Sequence, residues 1–283
     1  MNVRTIAIVS KKGGVGKTTT TVSLAGAFHE MGRRVLLLDL DPQASASLSL
    51  GVDRGSLAPS IAEVLLGDLS FRRAIRRTAT PGIDLVTASV DLGRMESESS
   101  FRRAEETRLA RRLRDAAAGY DVVLIDCPPS FGMLTRNAVA ASDGYVVPTV
   151  PQFLATEGIV NLVQSIDRLR FRCQSRSHLL GILPTLVDYR TTLTRDTLED
   201  LREEFGNDVF AVEIRTNVRL AEAPAAGETI FQYDPTATGA GAYRLAAEEL
   251  LMRLDRRSPI EPPAEEPPAA VAADFGRRTT RVS

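Results

Sequence analysis

The sequence predicts an α/β fold: one doubly wound, mostly parallel sheet flanked by helices, with a C-terminal tail of different composition. Three observations predict it. Seven apolar runs of strand length are continuous rather than alternating, as expected of strands covered on both faces. Longer stretches with helical periodicity separate most of them, so strands alternate with helices. A glycine-rich loop joins the first run to the first of those stretches. At 283 residues and 43% apolar composition, the chain can fill the core of one large domain.

Taken in order, residues 6–9 (Ile-Ala-Ile-Val) form the first strand. Residues 18–31 follow as a helix with Val22, Ala25, Phe28 and His29 near one face, stopped by Gly32. Strands are expected at 35–38, 83–86, 122–125, 145–148, 179–183 and 209–214, each a short apolar run. Helices are expected at 102–118, 133–141, 156–171, 194–205 and 239–255. The folded domain ends near residue 257, because 258–283 holds five of the fifteen prolines and reads as a disordered tail. Ligands of such a sheet bind beyond the carboxyl ends of its strands.

Composition narrows the chemistry. Cys127 and Cys173 have no second cysteine or histidine at ligand spacing, so neither a zinc site nor a disulfide framework is expected, and a reducing cytoplasm fits. Cys127 is expected simply to pack, His29 to sit at a helix surface and His178 in a loop. No apolar run approaches a membrane-spanning length and no signal core precedes residue 6, so neither export nor membrane spanning is expected. The net charge of −1 excludes no partner, since an average hides patches. Only three of the 35 basic residues are lysines, and Lys11, Lys12 and Lys17 lie within seven positions.

Those lysines belong to the glycine-rich loop Lys11-Lys12-Gly13-Gly14-Val15-Gly16-Lys17-Thr18-Thr19, between a strand and a helix. Backbone amides of Gly13, Gly14, Val15, Gly16 and the first helical residues can close around phosphate oxygens, aided by the helix N-terminus. Lys17 supplies a point charge, and the Thr18 hydroxyl can ligate Mg²⁺. The order of strand, loop and helix makes this a phosphate-binding loop of the P-loop NTPase type, with Thr19 completing the turn. Two acidic strand ends accompany it: Asp39-Leu40-Asp41-Pro42-Gln43 after the 35–38 run, and Asp126-Cys127-Pro128-Pro129 after the 122–125 run. Their carboxylates would lie beside the loop if these strands are neighbours of the first.

The general phosphate-loop pattern has glycine where this chain has Lys11, and Lys12 follows. That departure resembles the deviant Walker A motif, Lys-Gly-Gly-x-Gly-Lys-Thr, of the ParA/MinD family. Further blocks of the chain resemble its chromosome and plasmid partition members: Asp39 to Gln43, Asp126 to Ser130, Leu154-Ala155-Thr156-Glu157-Gly158, Asn217 to Pro224, and Tyr233-Asp234-Pro235. The resemblance spans about residues 3–255. It implies a Mg²⁺-dependent ATPase that dimerises on ATP, binds DNA without sequence preference, and is released when a ParB-like centromere-binding or cargo-adaptor protein stimulates hydrolysis. Location in the cytoplasm, on the nucleoid, follows from that role.

Carried over residue by residue, Lys12 is the lysine that reaches the partner's phosphates in trans, leaving Lys11 a solvated neighbour. Asp41 orients the attacking water, working with the cation rather than as a strong base. Thr18, Asp39 and Asp126 serve the Mg²⁺ or its waters. Arg190 and Arg219 match DNA-contacting arginines, a role that suits a planar fork gripping phosphates without reading bases. Asn217 matches a base-contacting asparagine. Arg215 stands where the family has an adenine-bordering proline, so it is expected beside the nucleotide and as an extension of the DNA patch. The arginines at 168, 170, 172 and 176 and those of 102–114 read equally well as solvated helix ends.

Related functions are narrowed by the same residues. A membrane-positioning relative would end in a basic amphipathic helix, which the proline-rich, acidic tail is not. A nitrogenase-reductase relative would need cluster cysteines, and neither cysteine matches. An N-terminal helix-turn-helix, as in partition proteins that repress their own operon, is not expected. The alternative is a ParA-like ATPase that positions another cargo, such as carboxysomes, chemoreceptor clusters, or flagellar or division components, through surfaces no motif reveals.

Overall fold

A computed structural model describes residues 3–97, 106–114 and 116–256. The tail expected at 258–283 and residues 102–105 of the expected 102–118 helix lie outside that set. The first strand, β1 (Arg4–Ile8), leads through the glycine-rich loop into α1 (Lys17–Glu30), then β2 (Val35–Asp39). Short helices α2 (Ser45–Ser49), α3 (Ile61–Leu66) and α4 (Phe71–Ala74) precede β3 (Arg76–Arg77) and β4 (Ile83–Val86). Next come α5 (Asp91–Ser97), α6 (Arg108–Leu113), β5 (Val122–Asp126), α7 (Met133–Ala141), β6 (Gly144–Thr149), α8 (Ala155–Cys173) and β7 (His178–Pro184). The C-terminal part contributes α9 (Thr192–Phe205), α10 (Val218–Ala226), α11 (Ile230–Tyr233) and α12 (Thr238–Arg256).

The strands form one seven-stranded sheet in the order β3-β4-β2-β5-β1-β6-β7. Every pairing is parallel except that of β3 with β4. Continuous apolar runs make this possible, because each strand feeds both faces. In β1, Ala7 packs into one core with Leu36, Leu38, Val123 and Ile125, while Ile6 and Ile8 pack into the other with Val35, Leu37, Val122 and Leu124. Helices α6, α7 and α8 cover the first face; α1, α11 and α12 cover the second. Each fully buried Leu or Ile contributes about 1.5–3 kcal/mol.

Four expectations are corrected. No strand forms at 209–214, where single bridges join Ile182 to Val209 and Val187 to Arg215. Side chains of α12 take the place of a strand partner: Glu249 accepts from the Ala211 amide, and the Arg253 guanidinium donates to the carbonyls of Leu180 (2.9 Å) and Val209 (2.9 Å) while stacking on Phe210. Helix α1 is buried almost all round rather than on one face, because α12 lies against it and its Thr20 hydroxyl bonds to Tyr243 at 3.0 Å. His178 is a buried residue opening β7, not a loop residue. Within the described part of 102–118, helix covers only Arg108–Leu113.

Helices α2 to α5 and α11 run four to seven residues, too short for periodicity to reveal them, and α10 carries Pro224 inside it. Local chemistry explains some: Ser60 and Glu63 form a capping box for α3, which ends at left-handed Gly67. The turn after α10 runs close to the backbone of Gly51. Gly227 is left-handed (φ 70°), and a Cβ there would lie 2.7 Å from the Cα of Gly51. Gly227→Ala is expected to destabilise the fold by about 1–3 kcal/mol, read as a lower urea midpoint with an unchanged slope.

Candidate nucleotide-binding site

The site lies at the carboxyl ends of β1, β2 and β5, which are neighbours in the sheet. From β1 the chain turns through Gly14 (φ 70°) and Gly16 (φ 78°), left-handed positions that only glycine adopts without strain. Gly16 caps α1 with no side-chain bond and no acidic residue in the first turn, so the first amides of the helix stay available to an anion. Lys17 is buried, and its Nζ bridges the loop to the carbonyl of Lys12 at 2.9 Å. Burial lowers its pKa, while the nearby carboxylates of Asp126 and Asp41 favour the charged form.

The acids converge on the same point. Asp126, fully buried at the end of β5, accepts from the hydroxyls of Thr18 (2.8 Å) and Thr21 (2.9 Å). Asp39 is its direct neighbour across the β2–β5 pairing and is also fully buried. The Asp39 carboxylate accepts from the Ser47 amide (2.8 Å), the Ser47 hydroxyl (2.7 Å) and the Asp41 amide (3.2 Å). Burial pushes both carboxyls upward, and for Asp39 the charge of Asp126 adds to it. Two buried acids with one lysine nearby favour an added cation. Hard oxygen donors from Thr18 and Asp126, already in contact, fit Mg²⁺, which takes few protein ligands and keeps its waters. Asp41 is half-exposed, at the mouth, where its Oδ1 caps the Gln43 amide at 2.9 Å.

The structure therefore brings together Lys17, Thr18, Asp39, Asp41 and Asp126, with Thr19 in the first turn of α1 and Gly13 and Val15 in the loop. Lys12 is exposed on that loop. Lys11 is exposed, as expected of a solvated neighbour, and is also tied to α8: its Nζ donates to the Asn161 carbonyl (3.3 Å) and Ser165 hydroxyl (3.2 Å) and stands 5.8 Å from the Phe131 ring centroid. The two lysines thus divide, one tied to the neighbouring helix and one left for a ligand. Cys127 packs in the core, as expected, and burial raises its thiol pKa well above the ordinary value.

The remaining candidates lie on the β7 side. Arg215 stacks on Tyr189, 5.1 Å to the ring centroid. Asn217 caps α10, its Oδ1 accepting from the Arg219 (2.9 Å) and Leu220 (3.3 Å) amides, while its amide group donates to the Thr238 hydroxyl at 2.8 Å. Arg190 is exposed and pairs with Asp188; Arg219 pairs with Glu222 at 2.8 Å and Asp234 at 3.6 Å. Such exposed pairs are worth little and can be exchanged for a phosphate. Of the arginines that read as solvated helix ends, Arg172 is half-exposed and pairs with Glu106, whereas Arg170, paired with Asp167 at 2.9 Å, is largely buried and departs from that expectation.

Sequence reasoning missed Thr21 and Ser47. Thr21 had a signal, since position i+3 from Thr18 lies on the same helix face. Ser47 had none, because its contact with Asp39 depends on how α2 folds back over β2.

Comparison with known proteins gives a consistent result. The AAA domain family matches residues 3–179. The chain is 44% identical over 255 residues to the chromosome-partitioning ATPase Soj of Thermus thermophilus, covering 89% of this chain and 97% of Soj. It is 38% identical over 257 residues to the chromosome partitioning protein ParA of Caulobacter vibrioides, covering 89% and 95%. Among solved structures, a Mycobacterium smegmatis protein described as cobyrinic acid a,c-diamide synthase, with bound ADP and magnesium, superposes with a TM-score of 0.77 at 36% identity over 93% of this chain and 100% of that one. The chain belongs to the ParA/Soj family of P-loop ATPases.

Proposed function

We propose that this protein hydrolyses Mg²⁺-ATP, dimerises when ATP is bound, and in that form binds DNA without sequence preference to move chromosomal or plasmid DNA. The observation that carries the reading is the division of labour at the loop. Lys17 and Thr18 face the buried acid Asp126, while the second lysine, Lys12, stays exposed and uncommitted to that acid. Bound Mg²⁺ would be held by Thr18 and Asp126, with Asp39 supporting its waters, and would neutralise charge developing on the phosphates. Asp41 holds the attacking water in line, and Lys17 holds the phosphates of its own subunit's ATP. Arg215 and Asn217 border the base, and a ParB-like or cargo-adaptor protein stimulates turnover in the cytoplasm, on the nucleoid.

Lys12 adds a second cation to the phosphates of the partner subunit, as an arginine finger does. Lys12→Ala is therefore expected to retain ATP binding and lose the ATP-dependent dimer, measured by light scattering after size-exclusion chromatography. A dimer formed by that variant on ATP would exclude the trans role. Among the described residues no helix is long and apolar enough to cross a membrane.

Co-sedimentation with DNA in ATP, ADP or no nucleotide tests the reading directly. Binding is expected with ATP alone and should fall steeply with salt. Arg219→Glu is expected to weaken binding to all sequences alike and to lower the salt slope by about one; binding that ignores ATP or this substitution would contradict the surface assignment. Proteins captured with the ATP-locked Asp41→Ala form identify the cargo. A centromere-binding protein supports DNA partition, and a shell or chemotaxis protein supports positioning of another cargo.

A further inference from the structure

One buried hydroxyl outside every motif touches the phosphate loop. Thr185, directly after β7, is 2% exposed, and its Oγ1 lies 2.8 Å from the carbonyl oxygen of Val15 and 3.1 Å from that of Thr149. The Thr149 carbonyl already accepts from the Thr185 amide at 2.8 Å. The single hydroxyl proton is therefore best used on Val15. Val15 is itself buried, and a carbonyl there without a donor would carry the cost of an unmade hydrogen bond, about 1–3 kcal/mol.

In a trans peptide the carbonyl and the following N–H point in opposite directions. With the Val15 carbonyl turned toward Thr185, the Gly16 N–H of the same peptide is turned away from β7. Gly16 is left-handed and flanked by left-handed Gly14, and glycines in such a turn rotate freely unless something outside the loop holds them. The α1 amide of Thr20 holds the Gly16 carbonyl at 2.8 Å, and Thr185 is placed to hold the peptide before it: its Cβ lies 3.9 Å from where a Cβ on Gly16 would stand.

The geometry points to Thr185 as a positioning residue for the nucleotide: its hydroxyl locks the Val15–Gly16 peptide so that the Gly16 amide is presented to phosphate before ATP arrives. This rests on the nucleotide reading of the loop. It adds a residue 170 positions from Val15 that neither the glycine pattern nor the lysines reveal. Preorganisation matters because an unlocked loop must order itself at the moment of binding, and that cost comes out of the affinity.

The test uses the full chain and a fluorescent ATP analogue with Mg²⁺. Thr185→Val keeps the shape and removes the hydroxyl; Thr185→Ser keeps the hydroxyl and removes the methyl. The valine variant is expected to bind the analogue about tenfold more weakly, and the serine variant to bind like the parent. Thermal unfolding without nucleotide accompanies both, and Thr185→Ala replaces the valine variant if that one does not fold. A valine variant that binds like the parent overturns the assignment. So does a serine variant as weak as the valine one, which would transfer the effect to packing of the methyl. A parent protein that binds no Mg²⁺-ATP overturns instead the nucleotide reading itself, so the two failures are distinguishable.

Discussion

Replacing Lys17 by alanine is expected to abolish measurable ATP binding at concentrations that saturate the parent. Lys17 is buried at the start of α1, where its Nζ already reaches the Lys12 carbonyl across the loop. Burial lowers the pKa of its ammonium, and the charges of Asp126 and Asp41 oppose that shift. A polyphosphate entering the loop would replace the weak carbonyl contact by a charge-assisted one in a site with restricted water. Removing one partner of such a pair costs about 2–5 kcal/mol, which is about 30-fold to several thousand-fold in affinity. The substitution also leaves Asp39 and Asp126 with less positive charge nearby. Isothermal titration with Mg²⁺-ATP measures the effect, and an alanine variant that binds like the parent would mean that the phosphates sit elsewhere.

Asp41→Ala is expected to do the opposite: ATP binding and the dimer persist, and turnover falls by about 100-fold or more. Asp41 differs from the other two acids in the one respect that matters for water. Asp39 and Asp126 are sealed, with their oxygens engaged by Ser47, Thr18 and Thr21, whereas Asp41 is half-exposed and bonded only to the Gln43 amide ahead of it. It alone among them can accept a hydrogen bond from a mobile water. Phosphate release measured with ATP in excess checks the rate, and DNA co-sedimentation checks that the bound state survives. Turnover at the parental rate would assign the water to another group.

How much of this was legible depended on whether the determinant was local. The parallel strands were, because residues such as Ile6 and Ala7 must satisfy opposite cores, which forces continuous apolar runs. The phosphate loop was, because left-handed turns at Gly14 and Gly16 require glycine and the helix that follows begins one residue later. The edge element at 209–214 was misjudged because its amides do reach β7, Phe210 to the Ile182 carbonyl and Ile214 to the Pro184 carbonyl, but Pro184 has no N–H to continue a ladder, and Glu249 and Arg253 take the groups on the other side. Strand β3, made of Arg76 and Arg77, had no apolar pattern to show. The pattern separated Lys12, which precedes the two glycines, from Lys11, but not what Lys11 touches, which only the position of α8 decides.

The sequence by itself determined the fold class, the phosphate loop with its two unequal lysines, and the acids that serve it, since each is written in consecutive residues whose backbone or charge requirements are short-range. The tertiary structure decided which groups share one point in space: that Thr21 and Ser47 complete the acid pair, that Asp41 alone faces outward, and that Thr185 holds the loop from β7. Those contacts span up to 170 positions of chain. They arise from strand order and from the packing of α1 and α2 onto the sheet, which no local spacing encodes.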